Sequence, residues 1–218
     1  SFEGDETVVI DITGVVNVTE LNVQQRTVTI LDDDPLPNVF LSVNPTSIQE
    51  DKSLPTTSTV TAALDALAGR DVTVFLTKTG TAVEINDYTL NNGISSIVVP
   101  TGSISASIVL SAVLDTLDEA NETVILDIDS VTHGLEAGEQ KKTVTILDDD
   151  NSPKVTMFVP VTNIDENNAT TTVDLTLDFT SALDVTVTLG KTGTATENAD
   201  YTLVSTVLIP AGVPQVTV

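Results

Sequence analysis

Two aspartate triplets, each at the end of the same nine-residue segment, are the residues of this chain best suited to do chemistry. The segment Arg26–Asp34 has the sequence RTVTILDDD, and Lys142–Asp150 repeats it 116 residues later as KTVTILDDD. Adjacent carboxylates repel one another, so a triplet stabilises a fold poorly. Carboxylates do bind hard cations such as Ca²⁺, which takes about six to eight oxygen ligands. The repeated segment therefore predicts cation binding at the ends of two strands.

A solvated cap is the alternative interpretation of the triplets. Acidic residues at strand ends and turns suppress edge-to-edge aggregation of sheets without binding any ion. Catalysis has less support, because the chain has no cysteine and a single histidine, which does not recur with the repeat. A thiolate nucleophile and a zinc site with cysteine ligands are thereby excluded. We expect the protein not to be an enzyme.

The overall charge excludes several classes of partner. The chain has 32 acidic and 8 basic residues, which gives a formal net charge of −24 and a pI of about 4.1. Nucleic acids and anionic lipids need basic side chains to neutralise their phosphates. No apolar run approaches the roughly 18 residues of a membrane-spanning helix. We therefore expect no nucleic-acid partner and no direct membrane insertion.

The segments that must position the carboxylates recur with a long period. Glu3–Ile12 matches Glu119–Ile128 at an offset of 116 residues, and Lys78–Ala82 (KTGTA) recurs at Lys191–Ala195 at an offset of 113. A period of this length is too long for a solenoid unit and fits one sandwich domain per repeat. The predicted division has the back part of one repeat, a linker, one complete repeat, a second linker and the front part of the next repeat: 1–34, 35–38, 39–150, 151–152 and 153–218.

The complete repeat shows strict alternation of apolar and polar residues, with almost no helical periodicity. Val72, Val74 and Leu76 alternate with Thr73 and its neighbours, which is typical of an antiparallel strand with one buried face. The predicted fold is all-β, with tandem immunoglobulin-like Greek-key β-sandwiches of about seven strands per repeat. The predicted strands are 39–50, 56–66, 71–78, 86–90 with 94–99, 104–114, 122–131 and 141–148.

The ends of the chain fall between strands of a repeat. We expect the sequence to be a slice of a longer tandem array, in which 153–218 is completed by a segment equivalent to 1–34. That segment would come from the next copy or from elsewhere in the chain.

Three motifs in a fixed order give the chain a resemblance to a known family. They are a TGTA segment ending in Asp-Tyr (Thr79–Tyr88 and Thr192–Tyr201), the acidic stretch Asp115–Thr123 and the terminal ILDDD. Together they resemble the Calx-beta domain. That domain is known from the regulatory loops of sodium/calcium exchangers, from an integrin cytoplasmic tail and from tandem arrays in bacterial surface proteins. The match here is to the bacterial surface-protein type, and the fold it implies is a seven-stranded sandwich.

The resemblance implies a set of Ca²⁺ ligands at one end of each sandwich. Asp115 is followed by Thr116 and Leu117, whereas the family often has consecutive aspartates there. We therefore expect the site to bind fewer ions or to bind them more weakly. For Glu122 and Glu6 we expect a role in orienting the loop by accepting backbone hydrogen bonds. The implied ligands are Glu50, Asp87, Asp115, Glu119, Asp148, Asp149 and Asp150 in the complete repeat, Glu3, Asp32, Asp33 and Asp34 before it, and Glu166 and Asp200 after it.

The resemblance also implies a function. We expect a non-catalytic repeat segment of an extracellular or cell-surface adhesin, filament or matrix protein, stiffened by Ca²⁺ at the domain ends. Its partners would be neighbouring repeats or copies of the same protein, including head-to-tail assembly. The alternative is a Ca²⁺-sensing regulatory module of a transporter or signalling protein. Glycan recognition is disfavoured because only 3% of the residues are aromatic.

Overall fold

The computed structural model describes residues 2–50, 55–167 and 169–218. Within these ranges the chain is built almost entirely of strands, with one short 3₁₀ turn at Asn91–Gly93. No helix in the described part of the chain is long and apolar enough to cross a membrane. The strands are β1 (Glu6–Ile10), β2 (Arg26–Ile30), β3 (Asn38–Asn44), β4 (Ser47–Gln49), β5 (Thr57–Leu64), β6 (Val72–Gly80), β7 (Tyr88–Leu90), β8 (Ser96–Val99), β9 (Ser105–Ala112), β10 (Glu122–Thr132), β11 (Leu135–Glu136), β12 (Lys142–Leu147), β13 (Val155–Phe158), β14 (Asp174–Leu177), β15 (Val185–Thr188), β16 (Thr206–Ile209) and β17 (Gln215–Thr217).

The complete repeat is a sandwich of two five-stranded sheets. One sheet has the order β4-β12-β10-β6-β8, and the other has the order β11-β3-β5-β9-β7. Neighbouring strands are antiparallel except for β4 with β12 and β11 with β3, which are parallel. This arrangement confirms the predicted all-β class and the tandem sandwich architecture. The described part of the repeat has ten strand segments against the seven expected, because the strand predicted over 39–50 is divided, the segments predicted as 86–90 and 94–99 lie in different sheets, and the two-residue β11 is added.

The predicted alternation is confirmed in the packing of the core. In β6, Val72, Val74 and Leu76 are buried, while Thr73 and Phe75 lie on the outer face. The buried faces of both sheets form one hydrophobic cluster between them. Burial of these aliphatic side chains is the main stabilising contribution to the repeat.

The first strand of the repeat differs from its prediction in a way that matters for the site. The sequence predicted one strand over 39–50, but β3 ends at Asn44, and after Pro45 the chain crosses to the other sheet as β4. Proline has no backbone N–H, so it interrupts a ladder of hydrogen bonds. In its new sheet β4 pairs with β12, with Ile48 opposite Ile146. The crossing places the end of β4 beside the end of β12.

The flanking segments repeat parts of this sandwich. The β1–β2 hairpin has the same register as β10–β12: Val8 pairs with Val28 as Val124 pairs with Val144. On the other side, β13, β14 and β17 form a three-stranded sheet, and β15 and β16 form a two-stranded one. Val185 pairs with Ile209 at the positions equivalent to Val72 and Val99.

These duplicated positions allow a controlled test of core packing. Ile146 is 1% exposed in the complete repeat, and its equivalent Ile30 is 52% exposed in the hairpin. We expect Ile146→Val to lower the free energy of unfolding of the repeat by about 1 kcal/mol, because it removes one buried methylene and leaves a small cavity. Ile30→Val should have almost no effect on the same denaturant-unfolding curve. Equal effects at the two positions would contradict the packing described here.

The two junctions between repeats share one backbone arrangement. Phe2 and Ala68 form an isolated parallel bridge, and Asp118 and Ser181 form the equivalent bridge one repeat later. The N–H of Gly69 donates to the carbonyl of Phe2 at 2.7 Å, and the N–H of Ala182 donates to the carbonyl of Asp118 at 3.0 Å. Successive modules are therefore joined by the same hydrogen-bonded contact.

The side chains at the two junctions are different. At the first, the Phe2 ring lies 6.4 Å from the ring of His133, centre to centre. At the second, the buried carboxylate of Asp118 accepts hydrogen bonds from the hydroxyls of Ser181 at 2.6 Å and Ser152 at 3.1 Å. The backbone geometry is thus the same at both junctions, whereas the first has the Phe2–His133 ring contact and a hydrogen bond from Arg70 Nε–H to the carbonyl of Glu3, and the second has a buried carboxylate.

Candidate metal centre

Four separate segments deliver carboxylates to one end of the complete sandwich. Glu50 follows β4, and Asp87 directly precedes β7. The loop between β9 and β10 contributes the segment 115–119, and the aspartate triplet 148–150 follows β12. Because β4 and β12 are parallel neighbours, Glu50 and the triplet leave the sheet together.

The first carboxylate cluster contains Glu50, Asp115 and Asp150. One carboxylate oxygen from each lies within 4.8 Å of the others. Ca²⁺ binds oxygens at about 2.4 Å, so two ligands on the same ion are at most about 4.8 Å apart. The three side chains therefore have the spacing that one calcium ion requires.

Glu50 is the most informative member of this cluster. It is only 5% exposed, and its Oε2 atom is buried without a hydrogen-bond partner in the described part of the chain. Burial raises the pKa of its carboxyl to about 7, with further contributions from the negative charges of Asp115 and Glu119. Buried polar atoms in proteins are nearly always paired, and an unpaired one needs an explanation such as a bound ion.

The second cluster contains Asp87, Glu119 and Glu122, again with one oxygen of each within 4.8 Å of the others. Asp87 is 8% exposed, and its Oδ2 accepts a hydrogen bond from the N–H of Val83. Burial raises the pKa of Glu122 to about 7, helped by a hydrogen bond with the Asp87 carboxyl. The pKa of Glu119 is also raised, first by burial and then by the charge of Asp87.

Glu122 is a site residue that sequence reasoning did not assign to the site. From the sequence we expect it to orient the loop, yet its carboxylate lies in the second cluster and its Oε2 has no hydrogen-bond partner in the described ranges. The signal that could have found it is its position three residues after Glu119, at the first residue of β10.

The remaining aspartates of the triplet have different positions. Asp148 Oδ1 accepts a hydrogen bond from the N–H of Glu119 at 3.2 Å, and the Asp148 N–H donates to Asn121 Oδ1 at 3.1 Å. These bonds fasten the loop 115–122 to the end of β12. Burial, followed by the charge of Asp148, raises the pKa of Asp150. Asp149 is exposed and belongs to neither cluster.

Among the residues that the structure describes, the predicted ligands in the flanking segments do not gather into clusters. Asp32 Oδ2 accepts hydrogen bonds from the N–H groups of Glu3 and Gly4, and the bond from Gly4 is the main reason that its pKa is lowered. Asp200 accepts one from the N–H of Thr196 at 2.7 Å. The other predicted ligands of the flanking segments are all exposed: Glu3, Asp33, Asp34 and Glu166.

The donor set of the two clusters fits calcium. All six members offer carboxylate oxygens, which are ligands of hard cations, and zinc or copper sites usually include nitrogen or sulfur donors. Without a cation, six carboxylates at one end of the sandwich repel one another, and two of them keep protons up to about pH 7. A bound divalent ion would offset the repulsion and would stabilise the deprotonated form of both groups.

The raised pKa values predict how stability depends on pH in the absence of calcium. Glu50 and Glu122 have pKa values of about 7 in the folded chain against an ordinary 4.5, so the folded state binds more protons between these values. Their contribution to stability is complete below about pH 4.5 and is lost as the pH rises through 7. We expect the melting temperature in EDTA to be lower at pH 8 than at pH 5.5.

The variant with Glu50→Gln and Glu122→Gln provides the control for this pH effect. It has no titrating group at either position, so its melting temperature should change much less over the same range. Melting curves followed by circular dichroism at four pH values would test this. A wild-type melting temperature that rises between pH 5.5 and 8 would contradict the assignment.

No protein-family model and no curated protein matches the sequence. Among solved structures, the chain is similar to the apo form of the Calx CBD1 domain, with 18% identity and a TM-score of 0.44 over 53% of this chain and all of that one. It is also similar to CBD12 from CALX1.2, with 17% identity and a TM-score of 0.43 over 83% of this chain and 73% of that one. A third similar structure is the calcium binding domain CBD12 of CALX1.1, with 14% identity and a TM-score of 0.44 over 83% and 74%.

Proposed function

We propose that the complete repeat binds Ca²⁺ at its acidic end and acts as a non-catalytic structural module. The observation that carries this proposal is the buried oxygen of Glu50, which lies next to Asp115 and Asp150 and has no hydrogen-bond partner among the residues that the structure describes. A solvated cap would leave its carboxylates hydrated, whereas Glu50 is 5% exposed. A bound cation accounts for both the burial and the missing partner.

The loop 115–119 supports a link between this site and the junction. Asp115 and Glu119 belong to the two carboxylate clusters, whereas Asp118, between them, forms the bridge to Ser181 of the next module. A five-residue segment thus belongs to the site and to the junction at once. An ion that fixes Asp115 and Glu119 would also fix the backbone that carries Asp118.

This arrangement supports a calcium-stiffened array as the working form of the protein. Without the ion, the acidic loop repels its neighbours and the junction bends more freely; with the ion, the modules are held in one orientation. Extracellular modules of this kind bind Ca²⁺ with dissociation constants of about 10⁻⁴–10⁻³ M. We propose that the protein works outside the cell, in an adhesin, filament or matrix, with neighbouring repeats or copies of the same protein as its partners.

Small-angle scattering with and without calcium tests the stiffening. We expect 10 mM CaCl₂ to increase the maximum dimension of the chain and to narrow the range of conformers that fits the data. Changing Asp148, Asp149 and Asp150 to Asn should abolish this response while leaving the strand content unchanged. The same change at Asp32, Asp33 and Asp34 is the matched control, because it removes equal charge from the flanking hairpin, and it should preserve the response.

Two results would count against the structural role. Identical scattering curves in calcium and in EDTA would contradict stiffening. A dissociation constant of about 10⁻⁷–10⁻⁵ M would instead favour the alternative, a regulatory module that senses intracellular calcium.

A further inference from the structure

The loop between β6 and β7 carries Asp87 into the second carboxylate cluster, and backbone contacts fix both of its ends. At its start, the N–H of Thr81 donates to the carbonyl of Thr123 at 3.0 Å. Gly80 allows this approach, because a Cβ at that position would lie 2.0 Å from the Thr123 oxygen. At its end, the carbonyl of Asp87 accepts a hydrogen bond from the N–H of Val113 at 2.9 Å. Since the ends are fixed, the turn between them determines where the Asp87 carboxylate points.

Hydrogen bonds between Val83 and Asp87 form this turn. The N–H of Asp87 donates to the carbonyl of Val83 at 2.9 Å, and the N–H of Val83 donates to Oδ2 of Asp87. The N–H of Ile85, inside the turn, donates to the carbonyl of Tyr88 at 2.8 Å. The turn therefore orients the Asp87 carboxylate, which would rotate away if the turn opened.

Ile85 is a strained residue in this turn. Its φ is +83°, in the left-handed region that β-branched residues rarely adopt. Its side chain is 78% exposed, so packing does not compensate for the strain. Strain at one such residue favours open forms of the turn by about 5- to 150-fold. The closed turn therefore needs a contact that offsets this strain.

The ion pair between Lys78 and Glu84 is such a contact. Glu84 directly precedes Ile85, and its Oε2 lies 2.5 Å from Nζ of Lys78. The two side chains are only 20% and 28% exposed, so they are partly shielded from the solvent that weakens surface ion pairs. The other oxygen of Glu84, Oε1, is buried and has no hydrogen-bond partner among the described residues. Without Lys78 both oxygens would lack a partner, so Glu84 would turn toward water and move Ile85 with it.

The same arrangement recurs in the next module. Lys191 pairs with Glu197 as Lys78 pairs with Glu84. The N–H of Thr196 donates to Oδ2 of Asp200 at 2.7 Å, and the N–H of Asp200 donates to the carbonyl of Thr196 at 2.9 Å. In the described part of the chain no carboxylate cluster lies beside this loop. The ion pair and the turn thus form together without a complete site.

We propose that Lys78 is a positioning residue for calcium binding: its ion pair with Glu84 holds the strained turn closed and keeps the Asp87 carboxylate in the second cluster before an ion arrives. This inference rests on the proposed function, because it concerns how the same acidic end binds calcium. A site whose competent form is only partly populated binds its ligand more weakly in proportion to that population. The ion pair therefore raises the affinity of the second cluster.

The sign of a charge-removing substitution separates positioning from a simple charge effect. As a positive charge near carboxylates, Lys78 repels cations, so its removal alone would strengthen cation binding. If Lys78 positions Asp87, its removal weakens cation binding instead. Lys142 is the matched control, because Lys78 and Lys142 lie opposite Leu126 on its two sides in the same sheet, and Lys142 is not part of the ion pair.

Terbium luminescence excited through tyrosine reports on the second cluster. Tb³⁺ is a hard cation that takes oxygen ligands, as Ca²⁺ does. The chain has no tryptophan, and Tyr88 lies near the cluster: burial raises its pKa, followed by the charges of Glu84 and Asp87. We expect a saturable terbium signal in the wild type that Tyr88→Phe removes. A signal that survives Tyr88→Phe would place the ion away from Asp87 and overturn the inference.

The two lysine variants give the decisive comparison. We expect Lys78→Met to weaken terbium affinity by about 5- to 150-fold, the range set by the strain that the ion pair offsets. Lys142→Met, which removes the same charge, should leave the affinity unchanged or strengthen it. Circular dichroism should show the same strand content in both variants.

Ile85→Asn tests whether the strained turn is what Lys78 holds. The equivalent residue of the next module is Asn198, whose φ is +68°, and asparagine adopts the left-handed region more readily than isoleucine. Added to Lys78→Met, this substitution should restore the terbium affinity, because a relaxed turn no longer needs the ion pair. Loss of affinity through damage elsewhere in the fold would not be rescued in this way.

The outcomes separate this inference from the proposed function. A wild type that binds neither terbium nor calcium would overturn the proposed function itself. Saturable binding that Lys78→Met leaves unchanged or strengthens would overturn the positioning role and leave calcium binding supported. Weaker binding in Lys78→Met that Ile85→Asn does not restore would overturn the role of the strained turn.

Discussion

Calcium at 10 mM is expected to raise the free energy of unfolding of the complete repeat by about 1.4–2.7 kcal/mol. This range follows from a dissociation constant of about 10⁻⁴–10⁻³ M for one ion that binds only the folded chain. The ion would replace the repulsion among Glu50, Asp115 and Asp150 by attraction and would supply a partner for the buried Glu50 oxygen. Chemical denaturation in calcium and in EDTA measures the difference.

The variant Glu50→Gln should change the sign of the effect with conditions. In EDTA it should be more stable than the wild type at pH 8, because a neutral amide of the same shape carries no charge into a buried position. In 10 mM calcium it should lose about 1.4–2.3 kcal/mol relative to the wild type, since loss of a charged ligand is expected to weaken binding on the order of 100-fold. A variant that is less stable than the wild type under both conditions would contradict the claim that, without a metal, the charge of the buried Glu50 carboxylate destabilises the folded chain.

When Asp118 is changed to Ala, the equilibrium constant between the open and the closed form of the polar junction should rise by about 5- to 150-fold. The carboxylate of Asp118 accepts hydrogen bonds from the hydroxyls of the buried Ser181 and the exposed Ser152, and loss of such a partner costs about 1–3 kcal/mol. Spin labels at Thr59→Cys and Thr186→Cys, one in each module, would report a wider distribution of interspin distances. Asp129→Ala, which removes an exposed carboxylate from β10 away from the junction, should leave the distribution unchanged.

The other junction suggests how to restore order. Phe2 and Ala68 occupy the positions of Asp118 and Ser181 with the same backbone bridge, so the pair can be apolar or polar. We expect Asp118→Phe combined with Ser181→Ala to give a narrow distance distribution again, although neither the carboxylate nor the hydroxyl remains. Failure of this double variant would indicate that the backbone bridge alone does not determine the junction.

The architecture could be predicted from sequence because its signals are local and repeated. Alternation in 72–77 has a period of two residues, and its apolar set is the set that packs in the core. The repeated RTVTILDDD and KTVTILDDD segments fix the period, and each forms the second strand of its own hairpin, β1–β2 or β10–β12, with the same register. Local pattern and long-range pairing agree at these positions.

The remaining features depend on contacts that a single strand cannot reveal. The crossing of the chain at Pro45 is decided by which sheet accepts β4, and only the parallel pairing with β12 shows why Glu50 reaches the triplet. Glu122 begins a strand in the sequence, and its place in the second cluster depends on the approach of Asp87 from a distant loop. The predicted ligands of the flanking segments do not cluster in the described ranges. In the complete repeat the clusters combine residues from the front and back parts of the sandwich, whereas 1–34 match only the back part and 153–218 only the front part.

Isothermal titration calorimetry of Ca²⁺ binding at pH 6.5, in buffers with different ionisation enthalpies, tests most directly whether the buried carboxylates hold a cation. Glu50 and Glu122 have pKa values of about 7, so both are mainly protonated at this pH and must lose protons to become ligands. We predict saturable binding accompanied by the release of roughly one proton or more per complete repeat. Absence of saturable binding up to 10 mM calcium, or binding without proton release, would contradict the account.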